Sequence, residues 1–466
     1  MTTPYERFLE SKAVLAPTCG FEVADSDLNP MLFPFQRDIT RWALKRGKSA
    51  VFAHTGLGKG PIQMEWGAQV SKYARRPVLI VAPLAVAQQF MGEAQKFGYL
   101  LTLCKSQSDV CAGLNVTNYE RLHLFDLSTF AGVSLDESSC IKDWTSKTSQ
   151  TLIERLKDTP YKLCSTATPS PNDHSELGTH AELLDVMQRP QMLAMFFEHS
   201  GKETAKWTLK GHGRKPFFKF VASWAVCVVR PSDLGYDDTG YDLPKLHMIE
   251  HVVPVDQSIA TEGMLFRCPD LSSTGLHKEM RLTCENRAAK VAELVNAAPG
   301  VPWLVWCNTD YEADALKAAL PEIVEVRGPE KPDAKEAKLI GFARGEFLEM
   351  CSKPEIAGWG MNYQHCWNMA FVGLSYSFES MFQAIRRCWR FGQLHEVNAH
   401  IVYAETEGPV LQTIRRKERQ YEELQSEMNA AMREEQLAQR APKHKYKHTK
   451  RMKIPKWLKT ENECAL

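Results

Sequence analysis

From residue 31 onward the sequence alternates short apolar runs with stretches of helical periodicity, and this order constrains the fold more than any single residue does. Strands apolar on both faces and separated by helices build parallel sheets through βαβ units. SAVFAH (49–54), PVLIVA (77–82), GVSLDE (132–137) and YKLCST (161–166) read as one set of buried strands. WLVWCN (303–308), IVEV (323–326), FLEMCS (347–352), MAFVGL (369–374) and VNAHIV (397–402) read as a second, with helices at 285–297, 310–319, 333–344 and 378–388. A chain of 466 residues is too long for one hydrophobic core. The expected fold class is therefore α/β in two lobes, the first over 31–195 and the second over 246–405. An N-terminal segment (1–30), a linker or insertion (196–245) and a helical extension with a basic tail (406–466) complete the division.

Hydrophobic residues at 44% and charged residues at 24% match a soluble globular protein and exclude a wholly disordered chain. No apolar run reaches the roughly 18 residues of a membrane span, and MTTPYERFLESK lacks the apolar centre of a signal peptide, so a cytoplasmic location is expected. The thirteen cysteines are scattered and never spaced C-x-x-C, which points to buried thiols and away from a disulfide framework or zinc site.

The net charge of +1 hides an asymmetry, because residues 440–459 carry nine Lys or Arg and no acid. Such a tail can neutralise phosphates, or simply remain solvated. A second basic stretch, 202–219, sets six Lys or Arg against Glu203 and interleaves Trp207, Phe217 and Phe218. It reads equally as a nucleic-acid grip or as a half-buried helix bracing the lobes. The charged segment after residue 405 reads either as a lever or as a helix packed through Ile414, Tyr421, Leu424 and Met428.

The chemistry is concentrated in a few segments. AHTGLGKG (53–60) follows a predicted strand and precedes a helical run. Gly56 and Gly58 let backbone N–H groups turn inward on phosphate oxygens, the helix start adds positive potential, and Lys59 reaches the β- and γ-phosphates. Against the pattern G-x-x-x-x-G-K-[ST] the chain has Ala53 at the first position and Gly60 at the last. Gly60 removes the hydroxyl that ordinarily ligates Mg²⁺, so water or a neighbour such as Thr55 must substitute. Asp136, at the end of a predicted apolar strand, can hold Mg²⁺, and adjacent Glu137 can orient and deprotonate an attacking water. STATPSPN (165–172) offers Thr166 and Thr168 near the same sheet edge, although alone it is an ordinary turn. In QAIRRCWRFGQ (383–393), Arg387 and Arg390 lie three apart, as on one helical face, and could neutralise charge on a transferred phosphoryl group.

Taken in order, these segments resemble the superfamily 2 helicases and translocases, most closely their Swi/Snf-like branch, which includes compact helicase-like proteins of bacteriophages and prophages. The resemblance spans about residues 31–405. FPFQRDITRWAL (33–44) looks like the adenine-recognition segment, with Gln36 at the base edge; APL (82–84) looks like motif Ia and NYERL (118–122) like the Tyr-Glu element after it. DESS (136–139) matches the Asp-Glu box, with Ser139 where DEAH-type boxes have His, and TATP (166–169) matches the coupling motif. AGWGMNYQ (357–364) looks like motif V, with Gly360 and Asn362 in its core, and residues 383–393 are similar to motif VI.

The resemblance implies two tandem RecA-like lobes that sandwich ATP with Mg²⁺, and Arg387 and Arg390 as arginine fingers. It implies DNA as partner, duplex ahead of single strands or RNA, other phage or host DNA-processing proteins as companions, and no membrane. A DNA-stimulated ATPase and translocase is the leading expectation. A nucleotide-gated scaffold with negligible turnover, suggested by Gly60 and Ser139, and an RNA helicase are the alternatives.

Overall fold

The computed structural model describes residues 15–200, 203–255, 273–357 and 362–440; the basic tail and Gly360 lie outside them. The first lobe is built on six parallel strands in chain order, β1 (Lys48–Ala53), β2 (Val78–Ala82), β3 (Leu101–Leu103), β4 (Leu114–Asn118), β5 (Gly132–Asp136) and β6 (Tyr161–Ser165). A small antiparallel hairpin follows, β7 (Phe197–Ser200) with β8 (Glu203–Leu209), and then β9 (Ala225–Val228). The spatial order β3-β4-β2-β5-β6-β1-β9 makes one seven-stranded sheet. Part of the segment expected to be a linker thus forms the sheet's edge: β9 runs parallel to β1 from Ala50↔Ala225 to Ala53↔Val228.

The second lobe holds β10 (Leu246–Val253), β11 (Trp303–Trp306), β12 (Val324–Val326), β13 (Glu349–Ser352), β14 (Asn368–Val372) and β15 (Val397–Ala404), in the order β10-β15-β14-β11-β13-β12. Every pairing in both large sheets is parallel. Parallel strands require crossovers, and helices cover the sheets as the two-lobed α/β reading requires. In such sheets ligands gather at the carboxyl ends of the strands. With β6 between β5 and β1, those ends bring residues 54–60, 136–137 and 166–168 to one edge.

Helix Arg214–Ala222 resolves the alternative left open for the basic stretch. Phe217, Phe218 and Phe220 are buried in the first lobe's core, and Trp207 packs against that core and on the His199 ring. Arg214, on the same helix, pairs with Glu423 and Glu427. The aromatics brace the protein interior and are not an exposed stacking surface.

The partners of Arg214 belong to the C-terminal helix, Gly408–Arg440, which crosses both lobes. Val410, Leu411, Ile414 and Tyr421 enter the core of the second lobe, while Leu424 and Met428 enter the core of the first. The backbone N–H of Cys227 on β9 points to Met432 Sδ at 3.1 Å, so the helix also covers the outer edge of the sheet. No helix among the described residues is long and apolar enough to cross a membrane.

Candidate active site

The glycine-rich loop leaves β1 at Ala53 and enters helix Lys59–Ala74. Gly58, the residue preceding that helix, has φ 79° and ψ 46°, a left-handed geometry that favours glycine. A side chain there would also strike Gln36 Nε2. Gln36 itself is buried, its Nε2 donating to Leu57 O at 2.9 Å and its Oε1 accepting from Phe33 N–H at 2.9 Å. The residue expected at a base edge therefore lies against the loop, with its amide supporting it. Lys59 Nζ donates to Ala53 O at 3.3 Å, and the buried Thr55 Oγ1 has no hydrogen-bond partner.

Asp136 ends β5 and Glu137 follows with φ 48°, one of three non-glycine residues with positive φ among those described. A left-handed conformation costs a residue with a Cβ about 1–2 kcal/mol, so the surroundings must hold it. One such contact is Thr166 Oγ1, which donates to Glu137 Oε2 at 3.2 Å. Asp136 Oδ1 accepts from Gln63 Nε2 at 2.7 Å, and Gln63 Oε1 accepts from Ser134 Oγ at 2.7 Å. Burial pushes the Asp136 carboxyl up to about 7 and the Glu137 charge adds to this, while Lys59 and the Gln63 amide oppose. Gln63 lies one helical turn after Lys59, the i, i+4 spacing by which the sequence could have revealed it.

The second lobe completes the site through helix Phe378–Cys388. Arg387 is buried; its Nη2 donates to Gln383 Oε1 at 3.3 Å, and burial holds its pKa down while the Glu137 carboxylate offsets this. Arg390 is not on the same helical face, because the helix ends at Cys388. Trp389 turns aside to donate its Nε1–H to Pro244 O at 2.7 Å, and Gln393 Nε2 donates to Cys388 O at 3.2 Å. Arg390 instead donates to Asn362 Oδ1, joining two of the expected motif residues.

Further contacts across the cleft involve His54, Arg386, Lys142 and Glu379, which the sequence reading did not single out, and Tyr421, which it read only as a packing position. Arg386 Nη2 lies 2.8 Å from His54 Nε2, which must accept and hence be unprotonated; burial and the Arg386 charge hold its pKa well below the usual histidine value. Glu379 Oε1 accepts from Thr168 Oγ1 at 3.0 Å, and its other oxygen pairs with Lys142. Tyr421 O–H donates to Ala167 O at 2.7 Å, inside the TATP segment. A Cβ on Gly56 would approach Phe391 N to 3.3 Å, so the second lobe reaches the glycine-rich loop itself.

At Gly60, a Cβ would collide with Glu93 Oε2 and lie 3.3 Å from its Cδ. Glu93 belongs to helix Leu84–Phe97 after β2, where nothing in its spacing relates it to the loop. Among the described residues no group of three or more His, Cys, Asp or Glu side chains could hold a metal ion by itself. The donor set fits Mg²⁺ of the kind that keeps several waters and is shared between one or two carboxylates and substrate phosphates. Asp136 is a buried carboxylate of the kind such a site uses, and Lys59 and Arg387 are cations close enough to act on its charge.

No family model matches the sequence, and no curated protein matches it. Among solved structures, the Sulfolobus solfataricus SWI2/SNF2 ATPase core in complex with dsDNA is similar over 90% of this chain and 98% of that one, at 15% sequence identity and a TM-score of 0.41.

Proposed function

We propose that the chain is an ATP hydrolase stimulated by DNA, with ATP bound between the lobes. The observation that carries this reading is convergence: a glycine-rich loop with Lys59, the buried Asp136–Glu137 pair and the arginines of residues 383–393 meet in one cleft from two separate sheets. In this reading Lys59 and the backbone N–H groups of 56–60 hold the phosphates, and Thr55 offers a free hydroxyl beside them. Glu137 takes the proton of the attacking water, its position fixed by Thr166 and by its own backbone turn. Arg387 and Arg390 meet the charge that develops on the transferred phosphoryl group when the lobes are closed. Asp136 would hold Mg²⁺, and the metal would supply neutralisation of phosphate charge and of the leaving oxygen. Thr168 and Ala167 pass a change in the site to Glu379 and Tyr421, which gives the TATP segment its coupling role; Gly360 and Asn362 remain assigned to nucleic-acid coupling. DNA, duplex ahead of single strands or RNA, rests on the sequence resemblance and on the basic tail.

Gly60 favours a second reading, a nucleotide-gated scaffold with negligible turnover. Steady-state ATP hydrolysis with Mg²⁺, alone and with duplex DNA, single-stranded DNA or RNA, separates the two. Duplex-stimulated turnover reduced about 10²–10⁴-fold by Glu137→Gln is the expected result. Nucleotide binding without turnover under any of these conditions would leave the scaffold.

A further inference from the structure

We propose that the Glu93 carboxylate supplies the protein oxygen that a Ser or Thr at position 60 would otherwise give to the nucleotide's Mg²⁺, so that this chain binds the metal through Asp136 and Glu93. The proposal rests on the ATP site described above and deepens it.

The substitution of a loop hydroxyl by a carboxylate from another helix is a matter of space and charge. A Cβ at position 60 would fall against the carboxyl group of Glu93, with Oε2 the nearest atom. The region a residue-60 hydroxyl would fill is therefore already occupied by an oxygen, and glycine is what leaves room for it. The other oxygen is anchored, since Gln89 Nε2, one turn earlier on the same helix, donates to Glu93 Oε1 at 2.9 Å. That hydrogen bond fixes the carboxyl plane and leaves Oε2 toward the loop.

Electrostatics place the same group within the catalytic cleft. Glu93 lies close enough to Asp136 and to Arg390 for its charge to act on both. Two carboxylates brought to one cleft are a pair whose charge a divalent cation held between them would neutralise. The cleft also keeps donors unused. Gln383, only 2% exposed, has no partner for Nε2, and Arg390 Nε and Thr55 Oγ1 are buried without one. These donors suit the phosphate oxygens that would arrive with the metal. An oxygen-only set of two carboxylates, phosphate and water is the preference of Mg²⁺.

The test is the affinity of a fluorescent ATP analogue in EDTA and in Mg²⁺, with Mn²⁺ binding followed by electron paramagnetic resonance as a second readout. The wild type, Glu93→Gln, Gly60→Thr and the double variant Gly60→Thr/Glu93→Ala are compared, with thermal melts as a check on folding. The quantity read is the gain in nucleotide affinity on adding the metal. Glu93→Gln is expected to cut that gain about 10–100-fold and to weaken Mn²⁺ binding alongside it. Gly60→Thr alone should lose the gain, because its side chain meets Glu93, and the double variant should recover it through the new hydroxyl. A full metal gain in Glu93→Gln overturns the proposal. So does metal-free nucleotide binding that tightens in Glu93→Gln with the metal gain intact, since the carboxylate would then be a plug in the phosphate site. A wild type that binds no nucleotide in either condition overturns the ATP site itself and this proposal with it.

Discussion

Asp136 shows how a single residue ties function to stability. Burial, with the Glu137 charge beside it, pushes its folded carboxyl up to about 7 from an ordinary value of 3.8, so the folded protein holds an extra proton between those values. Stability is then greatest below the window and is lost as pH rises through it, by an amount on the order of a few kcal/mol. Asp136→Asn removes the titration while keeping an oxygen for the Gln63 amide. Without nucleotide or metal, this variant is expected to melt above the wild type at pH 8, with the difference closing by pH 4. Equal melting temperatures at both pH values would show that Asp136 ionises without cost. In the presence of Mg²⁺ and ATP the order should reverse, because a carboxylate holds the cation more strongly than an amide oxygen does. That Asp136, Glu137, Lys59 and Arg387 deserve to be considered together could be read from the sequence, since each lies in a short run whose order is informative, and the structure brings them to one cleft. Glu93 was not, because it meets Gly60 only after two helices pack. The His54–Arg386 pair was hidden for the same reason, its members being 332 residues apart.

At the scale of elements, the strands that were easiest to read were those whose apolar runs are unbroken. β4 escaped because its sequence, LNVTN, carries polar residues inward: Asn115 and Thr117 are fully buried, and their side chains bond Cys111 O at 2.8 Å and Cys104 O at 2.9 Å. β9 escaped because AVCV is short and lies among turn-forming residues; only its pairing with β1 makes it a strand. The C-terminal helix was legible as a helix, and Ile414, Tyr421, Leu424 and Met428 are buried on it, as are Val410 and Leu411. That these positions divide between two cores depends on how the lobes face each other, which periodicity does not encode. Leu424→Ala is expected to destabilise the first lobe by about 2–4 kcal/mol, read by chemical denaturation, because a fully buried leucine leaves a cavity when truncated. Tyr421→Phe should cost about 1–3 kcal/mol by orphaning the carbonyl of Ala167.

For the whole molecule, the two sheets are held together at the cleft by a small number of polar contacts, with Glu379 at their centre. It receives Thr168 and Lys142 from the first lobe while remaining largely buried itself. Glu379→Ala therefore removes two inter-lobe contacts without touching either sheet. Fluorescence energy transfer between dyes on the two lobes is expected to fall in this variant, with the circular dichroism of both lobes unchanged and ATP turnover reduced. Unchanged transfer would show that the C-terminal helix alone sets the closure.

That helix has a consequence for synthesis as well. The outer edge of the first sheet is covered at Cys227 by Met432, and its core is finished by Leu424 and Met428, some two hundred residues after the strand they protect. A nascent chain emerging from the ribosome must carry an open β9 edge through production of the entire second lobe. During that interval the open edge is a template on which strands of neighbouring chains can pair, the hazard that chaperones exist to limit.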